Sequence, residues 1–176
     1  MAQARGTRRR SQVADVRAVI DNFYSAYAER DVGRMMEWVS DDIVEQLSGI
    51  GLVRGRADER RFLRSLFEAF PDLETTVIRQ YVDGTTASVE WYRCGTFTGR
   101  DFQGIPATGR RFELTGLALI DVHDGRITRI NGYYDTAEFA RAIGLLPTRD
   151  GRVERWGIRL LRLTLALRKR KIRSVV

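Results

Sequence analysis

The sequence is poor in the residue types that carry disulfide, metal and nucleophile chemistry. Among its 176 residues there is one cysteine, Cys94, and one histidine, His123. A single cysteine excludes an intramolecular disulfide and metal sites built on cysteine pairs, and a reducing compartment fits this composition best. We interpret Cys94 as strand packing, and His123 adjoins a predicted turn, so neither is a strong catalytic candidate.

Long apolar runs are also missing. No stretch of the sequence approaches the roughly 18 apolar residues that a membrane-spanning helix needs, and the charged first residues are not followed by the apolar core of a secretory signal. We therefore expect a cytoplasmic protein that is soluble or peripheral to a membrane.

Acidic residues are scarce at both ends of the chain. The net charge is +7 overall, with +4 in residues 1–10 and +8 in residues 149–176, which leaves −5 for the segment between them. The electrostatic footprint of a nucleic-acid-binding domain should lie on a folded face or groove. Nucleic acid is therefore not a favoured partner of the folded domain.

Apolar residues recur at helical spacing in the first part of the chain. Ser11 can cap a helix of about four turns, Asp31 can cap a short second helix, and a third helix stops at Pro71. Between the second and third helices, residues 43–47 are predicted as a short strand. The glycine-rich stretch 49–55 then leads into the third helix.

From Leu73 the hydrophobic period changes to two. Asp83-Gly84 and Asp124-Gly125 each separate two runs of alternating residues, which is typical of β-hairpins. Four long antiparallel strands are therefore expected, and Asp135 opens a fourth helix that ends at Gly144. Helices followed by a curved antiparallel sheet form an α+β arrangement, in which a cavity between the two layers is a natural ligand site.

Five short motifs occur in the order and spacing of a known family. They are FPDL (70–73), GTFTG (95–99), GIPATGR (104–110), DGRI (124–127) and the segment from YYD to IG (133–144). The series resembles the SnoaL-like polyketide cyclases of the nuclear transport factor 2-like superfamily. The resemblance implies a cone-shaped domain, over 11–148, with helices packed on the sheet around a pocket. The charge pattern adds a basic disordered segment 1–10 before it and a basic amphipathic helical tail 149–176 after it, which the family does not require.

The resemblance also implies a chemistry and an assembly. Cyclases of this family close a ring by intramolecular aldol addition without metal or organic cofactor, using a pocket Asp that a neighbouring His often assists. In this sequence those two positions hold Gly132 and Ala118. A homodimer through the outer sheet face and a role in secondary metabolism, such as antibiotic biosynthesis, are further implications of the resemblance.

Two carboxylates remain as candidate catalytic residues. Asp135 could act as the acid/base, or it could cap the fourth helix in a capping box with Glu138. Glu45 on the first strand could lie in an apolar pocket that raises its pKa, or at an exposed strand end. Glu90 and Arg93 are three apart on one strand and face opposite sides, so an Asp-Arg-Asp arrangement like that of the related limonene epoxide hydrolases lacks identifiable partners.

The alternation of the last strands predicts which residues contact a ligand. If the family's Asp position faces the cavity, its neighbours of the same parity face it too, unless a bulge at Gly132 inverts the pattern. Tyr27 matches a helix position that relatives use for ligand contact, although it also continues the apolar stripe of its helix. The predicted lining residues on the strands are Leu114, Gly116, Ala118, Ile120, Ile130, Gly132 and Tyr134. Such a lining suits a flat, hydrophobic polycyclic or isoprenoid ligand.

Three functions stay open on these observations. The chain is a cofactor-independent cyclase or isomerase acting on a hydrophobic polyketide-like or terpenoid intermediate, a non-catalytic small-molecule-binding module, or a protein that acts through its tail. In the tail segment 153–173 a broad leucine stripe alternates with arginines. Such a helix can bind an anionic membrane surface or a protein partner, or pack on its own domain.

The membrane alternative predicts salt-sensitive vesicle binding. The full chain should bind vesicles that contain anionic lipid, and binding should weaken as salt rises because attraction between exposed charges is screened over about 10 Å at 0.1 M salt. Deletion of residues 149–176 should abolish it. Cosedimentation with anionic vesicles, with neutral phosphatidylcholine vesicles as control, measures this. Equal binding by the truncated chain would exclude the tail as the membrane contact.

Overall fold

The structure is a computed structural model that describes residues 2–147, 149 and 151, and side chains from Asp15 onward. In chain order its elements are α1 (Ala2–Ala28), α2 (Val32–Met35), β1 (Val39–Leu47), β2 (Gly51–Arg54), α3 (Arg56–Ala69), β3 (Glu74–Asp83), β4 (Thr86–Thr96), β5 (Arg111–His123), β6 (Arg126–Tyr134) and α4 (Thr136–Ala142). The predicted amphipathic tail segment, 153–173, lies outside the described residues.

The six strands form one curved sheet in the order β2-β1-β6-β5-β4-β3. The four long strands β3 to β6 pair antiparallel, as the sequence predicts. However, β1 pairs parallel with β6 and antiparallel with β2, so the sheet is mixed rather than wholly antiparallel. Alternation predicts that a strand exists but not which distant strand it joins, and β2 is too short to give a clear period.

The helices begin close to where the sequence predicts, with one exception. Asp31 caps α2 by accepting a hydrogen bond of 3.0 Å from the backbone N–H of Arg34. In contrast, α1 already begins at Ala2, so Ser11 lies inside the helix and residues 2–10, expected to be disordered, are helical. Ala, Gln and Arg are good helix formers, so they can extend a helix that tertiary packing stabilises further along. None of the helices that the structure describes is long and apolar enough to cross a membrane.

The core lies between the helices and the sheet. The apolar stripe of α1 is buried there, with Ile20 1% and Phe23 3% exposed. Phe70, which ends α3, is fully buried against the rings of Phe97 and Phe112, with centroid distances of 4.9 and 5.1 Å. Burying one such side chain stabilises the fold by about 1.5–3 kcal/mol. These aromatic contacts therefore help to hold the helix layer against the sheet.

The loop between β4 and β5 closes the carboxyl end of α3. The backbone N–H groups of Gly99 and Arg100 donate to the carbonyl oxygens of Ala69 and Glu68, each at 3.0 Å. A Cβ atom at Gly99 would lie 1.8 Å from the Glu68 carbonyl oxygen. This approach therefore requires glycine, and it satisfies carbonyl groups that the end of a helix leaves without a partner.

The variant Gly99→Ala tests this close approach. Since its methyl group would meet backbone that cannot rotate away, the variant should lose about 1–3 kcal/mol of unfolding free energy. The urea midpoint measures the loss, and Thr98→Ala at the exposed neighbouring position is the matched control. Equal midpoints for the two variants would mean that the loop moves freely away from α3.

Candidate functional site

A cavity lies between the sheet and the helices α1 and α3. Its empty space, with the opening to solvent counted in, is about 810 Å³, and most of its lining is aromatic or aliphatic. The polar side chains in the lining are Tyr24, Tyr27, Glu45, Glu59, Arg93 and Tyr134. In the part of the chain that the structure describes, no cluster of three or more His, Cys, Asp or Glu residues could hold a metal ion.

Two carboxyl groups meet inside this cavity. Glu45 on β1 and Glu59 on α3 share a side-chain hydrogen bond, although they are only 7% and 1% exposed. Apart from this contact between the two carboxyl groups, no other described residue donates a hydrogen bond to Oε2 of either group. A buried polar atom without a partner costs free energy, so this pair is a costly feature that packing alone does not explain.

The pair must hold a proton at neutral pH. Burial raises the pKa of both carboxyl groups, because it penalises their charged forms. The negative charge of Glu45 and the shared hydrogen bond raise the pKa of Glu59 further, whereas the same hydrogen bond and the charge of Arg93 act to lower that of Glu45. Glu59 is therefore the protonated partner, and Glu45 is the group that gives up its proton first.

Local sequence explains why these two residues face inward. Glu45 alternates with Ile43 and Leu47, which are 0% and 8% exposed, so it lies on the buried face of β1. Glu59 precedes Leu63 by one helical turn and so lies on the apolar face of α3. The sequence alone leaves the position of Glu45 open and does not single out Glu59, although the helical spacing of Glu59 from Leu63 is a usable signal.

Arg93, which the sequence brings up only together with Glu90, is a further polar residue of the cavity. Its guanidinium carbon lies 4.3 Å from the centroid of the Trp91 ring and 4.4 Å from that of Tyr27. The expectation that Glu90 faces the other side is confirmed, since Glu90 is ion-paired with Arg79. Arg93 follows Trp91 by two positions on the strand, and this alternation could have placed it in the cavity.

The alternation predicts the inward-facing strand residues correctly, but two of these residues do not line the cavity. Gly116 lies beneath the ring of Trp91, and Ile120 is fully buried in the core. The register shift between β5 and β6 falls at Asp121 and Val122 rather than at Gly132, so the alternation is preserved. The residues that line the cavity as predicted are Tyr27, Leu114, Ala118, Ile130, Gly132 and Tyr134. Their contact with a ligand stays a prediction.

The two positions where the resemblance implies catalytic residues lie side by side. Ala118 and Gly132 are direct partners across β5 and β6, and they form a small, apolar part of the cavity floor. Leu47 pairs with Gly132 on the other side, and a Cβ atom at position 132 would lie 2.6 Å from its Cδ2 atom. The floor therefore has no acid or base, and Leu47 occupies part of the space.

Asp135 lies apart from this cavity lining. It caps α4, accepting a hydrogen bond of 2.9 Å from the backbone N–H of Glu138, and its side chain is 47% exposed, 3.8 Å from Arg149. The hydrogen bond from Glu138 holds the pKa of Asp135 below its usual value. A base tuned towards neutrality needs a raised pKa, so this geometry favours the structural interpretation of Asp135.

Comparison with known proteins agrees with the fold. The family model for SnoaL-like polyketide cyclase matches residues 16–143. Similar solved structures include a candidate SnoaL-like polyketide cyclase from Jannaschia sp. CCS1 (21% identity, 77% of this chain and 96% of that one, TM-score 0.69). IdmH, a candidate polyketide cyclase from Streptomyces antibioticus, is 27% identical over 73% of this chain and 98% of its own (TM-score 0.63). An LEH-like epoxide hydrolase from M. tuberculosis is 19% identical over 74% and 90% (TM-score 0.62). No curated protein sequence matches the chain.

The buried pair predicts a pH-dependent stability. An unfolded Glu59 releases its proton near its ordinary pKa of 4.5, whereas the folded protein keeps it to higher pH. The unfolding free energy should therefore be highest at acidic pH and fall as pH rises above about 5, by up to about 1.4 kcal/mol per pH unit for each proton retained. Urea titrations at pH 5, 7 and 9 measure this slope.

The variant Glu59→Gln should flatten that slope, because an amide can still donate a hydrogen bond to Glu45 but does not ionise. Glu68→Gln on the same helix, where the carboxylate is 54% exposed, is the matched control and should leave the slope unchanged. Identical slopes in the wild type and Glu59→Gln would contradict the assignment of the retained proton to Glu59.

Proposed function

The chain belongs to the SnoaL-like polyketide cyclase family, and on that premise we propose that it is a cofactor-independent cyclase or isomerase of secondary metabolism. Its substrate is a hydrophobic polyketide-like or terpenoid carbonyl compound, and its chemistry is proton transfer. One observation carries the proposal: the carboxyl pair of Glu45 and Glu59, buried in an apolar cavity with no other described residue donating a hydrogen bond to Oε2 of either group. This is the environment that tunes a carboxylate for acid/base work at neutral pH.

In the proposed reaction the two carboxyl groups have different roles. Glu45 removes a proton from the carbon next to the substrate carbonyl, and Glu59 keeps its own proton while donating a hydrogen bond to Glu45. The bound proton then returns to another carbon in an isomerisation, or to the alkoxide oxygen formed when an aldol addition closes a ring. A positioned acid/base of this kind contributes about 10²- to 10⁴-fold to a rate.

The proposal moves the acid/base function away from the position that the family resemblance implies. Gly132 and Ala118 provide an apolar floor on β6 and β5 instead of a carboxylate and an imidazole. The pair on β1 and α3 lines the same cavity. A flat substrate can therefore lie on the floor with its edge towards Glu45 and Glu59.

A non-catalytic binding module is the competing proposal, and the loss of acid and base at positions 132 and 118 favours it. Such a module would retain a hydrophobic ligand through purification without turning it over. The third alternative, a function carried by the tail, depends on residues outside the described part of the chain and is tested by the vesicle experiment above.

A homodimer through the outer face of the sheet is part of the proposal. Leu117 and Tyr133 are cross-strand partners on that face and are 38% and 50% exposed, with Leu119 at 38%. An apolar patch of this kind is typical of an interface between protein chains. Its formation does not involve the cavity, so the oligomeric state and the acid/base chemistry can be measured separately.

The acid/base proposal predicts carbon-acid exchange. In D₂O at neutral pH the protein should accelerate deuterium incorporation next to the carbonyl of 2-tetralone, a bicyclic apolar ketone, and Glu45→Gln should lower that rate by at least about 100-fold. Proton NMR follows the exchange. Asp135→Asn removes the competing carboxylate while keeping a good helix cap. Exchange lost in Asp135→Asn but kept in Glu45→Gln would overturn the assignment, and no exchange with a tightly retained ligand would favour the binding module.

A further inference from the structure

Arg93 is a half-buried cation in the lining of the cavity. No Asp or Glu carboxylate among the described residues lies within the 4.0 Å of an ion pair from its guanidinium group, and its Nε atom is buried without a hydrogen-bond partner. Burying a polar atom without a hydrogen-bond partner costs free energy. A ligand atom with negative charge would supply the missing partner.

The aromatic neighbours of Arg93 fix its orientation. Trp91 and Tyr27 hold the guanidinium between their rings at 4.3 and 4.4 Å from the ring centroids. The ring faces attract the positive charge but accept no hydrogen bond from Nε, which has no partner among the described residues. A planar fork of donors of this kind matches a flat oxygen-bearing group better than a flexible ammonium group does.

The charge of Arg93 already acts across the cavity. Burial raises the pKa of Tyr24, Tyr27 and Tyr134, and the positive charge of Arg93 opposes that rise at each of them. It acts on Glu45 in the same direction. The guanidinium therefore stabilises negative charge throughout this cavity without forming an ion pair with the carboxyl pair on β1 and α3.

We propose that Arg93 binds the carbonyl oxygen of the substrate and stabilises the enolate, and thereby selects α-acidic ketones. This inference rests on the proposed acid/base function. The α-C–H bond breaks and its proton goes to Glu45, the electron pair of that bond forms the carbon–carbon double bond of the enolate, and the carbonyl π electrons move to the oxygen at Arg93. The net charge of the cavity does not change, because the negative charge moves from Glu45 to the oxygen. Donors placed beforehand in a site that excludes water stabilise such a charge most effectively.

Two isosteric probes test Arg93 without turnover. At pH 6 the protein should bind 2-naphthoate, which carries an oxyanion on a flat apolar skeleton, about 10- to 100-fold more tightly than neutral 2-naphthamide, the range expected for hydrogen bonds to a charged group. Isothermal titration calorimetry measures both affinities. Arg93→Gln should remove this preference and leave the affinity for the amide within about twofold, since apolar contacts with the ring are retained.

Further variants make the test decisive. Arg79→Gln on the outer face of the sheet, where Arg79 pairs with Glu90, is the matched control and should keep the full preference. If Arg93→Gln does not fold, as judged by its thermal transition, Arg93→Lys keeps the charge without the planar fork and should show a preference at least about threefold smaller than the wild type. Glu45→Gln mimics protonated Glu45, so it should bind 2-naphthoate more tightly than the wild type.

The outcomes separate this inference from the proposed function. An unchanged preference in Arg93→Gln, or in Arg93→Lys where that variant is used, would overturn the role of Arg93 even if 2-tetralone exchange depends on Glu45. A preference that depends on Arg93 without any 2-tetralone exchange would support the oxyanion site and sink the acid/base function instead.

Discussion

The hydrogen bond between Glu45 and Glu59 is the interaction on which the site depends. It joins β1 to α3, so it connects the sheet layer to the helix layer inside the cavity. Two carboxyl groups this close and this buried cannot both carry a negative charge, so the contact exists only while a proton is held. Protein stability and the acid/base state of the cavity are therefore coupled through one bond.

The surrounding fold keeps that bond in place by ordinary packing. Phe70 and its aromatic neighbours fill the space at the end of α3, and the loop after β4 closes on the same helix end. The parallel pairing of β1 with β6 sets Glu45 beside Ile130, two positions before the floor residue Gly132. Glu45 on β1 thus gains its neighbours in the cavity from β6, a strand that is far away in the sequence.

Local pattern was enough to predict most of the elements, because caps, hairpin turns and hydrophobic periods involve residues a few positions apart. The alternation on β5 and β6 also placed Ala118, Ile130 and Gly132 in the cavity lining. It could not show that β1 joins β6, since strand pairing between distant segments depends on the whole fold. For the same reason the meeting of Glu45 with Glu59 was not predictable, although each residue carries an inward-facing pattern of its own.

The family resemblance directed attention to the end of β6, where Asp135 is the nearest carboxylate in the sequence. Asp135 caps α4 outside the cavity lining, which is the structural alternative that the sequence left open, while Arg93 and Glu59, distant in the sequence, line the cavity. The side-chain direction that a strand or helix imposes was the better guide to this cavity. Helical spacing on α3 and alternation on β4, used in the same way as the alternation on β5 and β6, would have selected Glu59 and Arg93.

Leu47 and Gly132 together set the volume of the cavity floor. The Leu47 Cδ2 atom lies 2.6 Å from where a Cβ atom at position 132 would be, and it is the free end of a side chain that can rotate. A larger residue at position 132 therefore needs a different rotamer of Leu47, and the two side chains would then compete for the same space. An acidic group on β6 and a wide apolar floor are thus alternative uses of one volume, and this chain has the second.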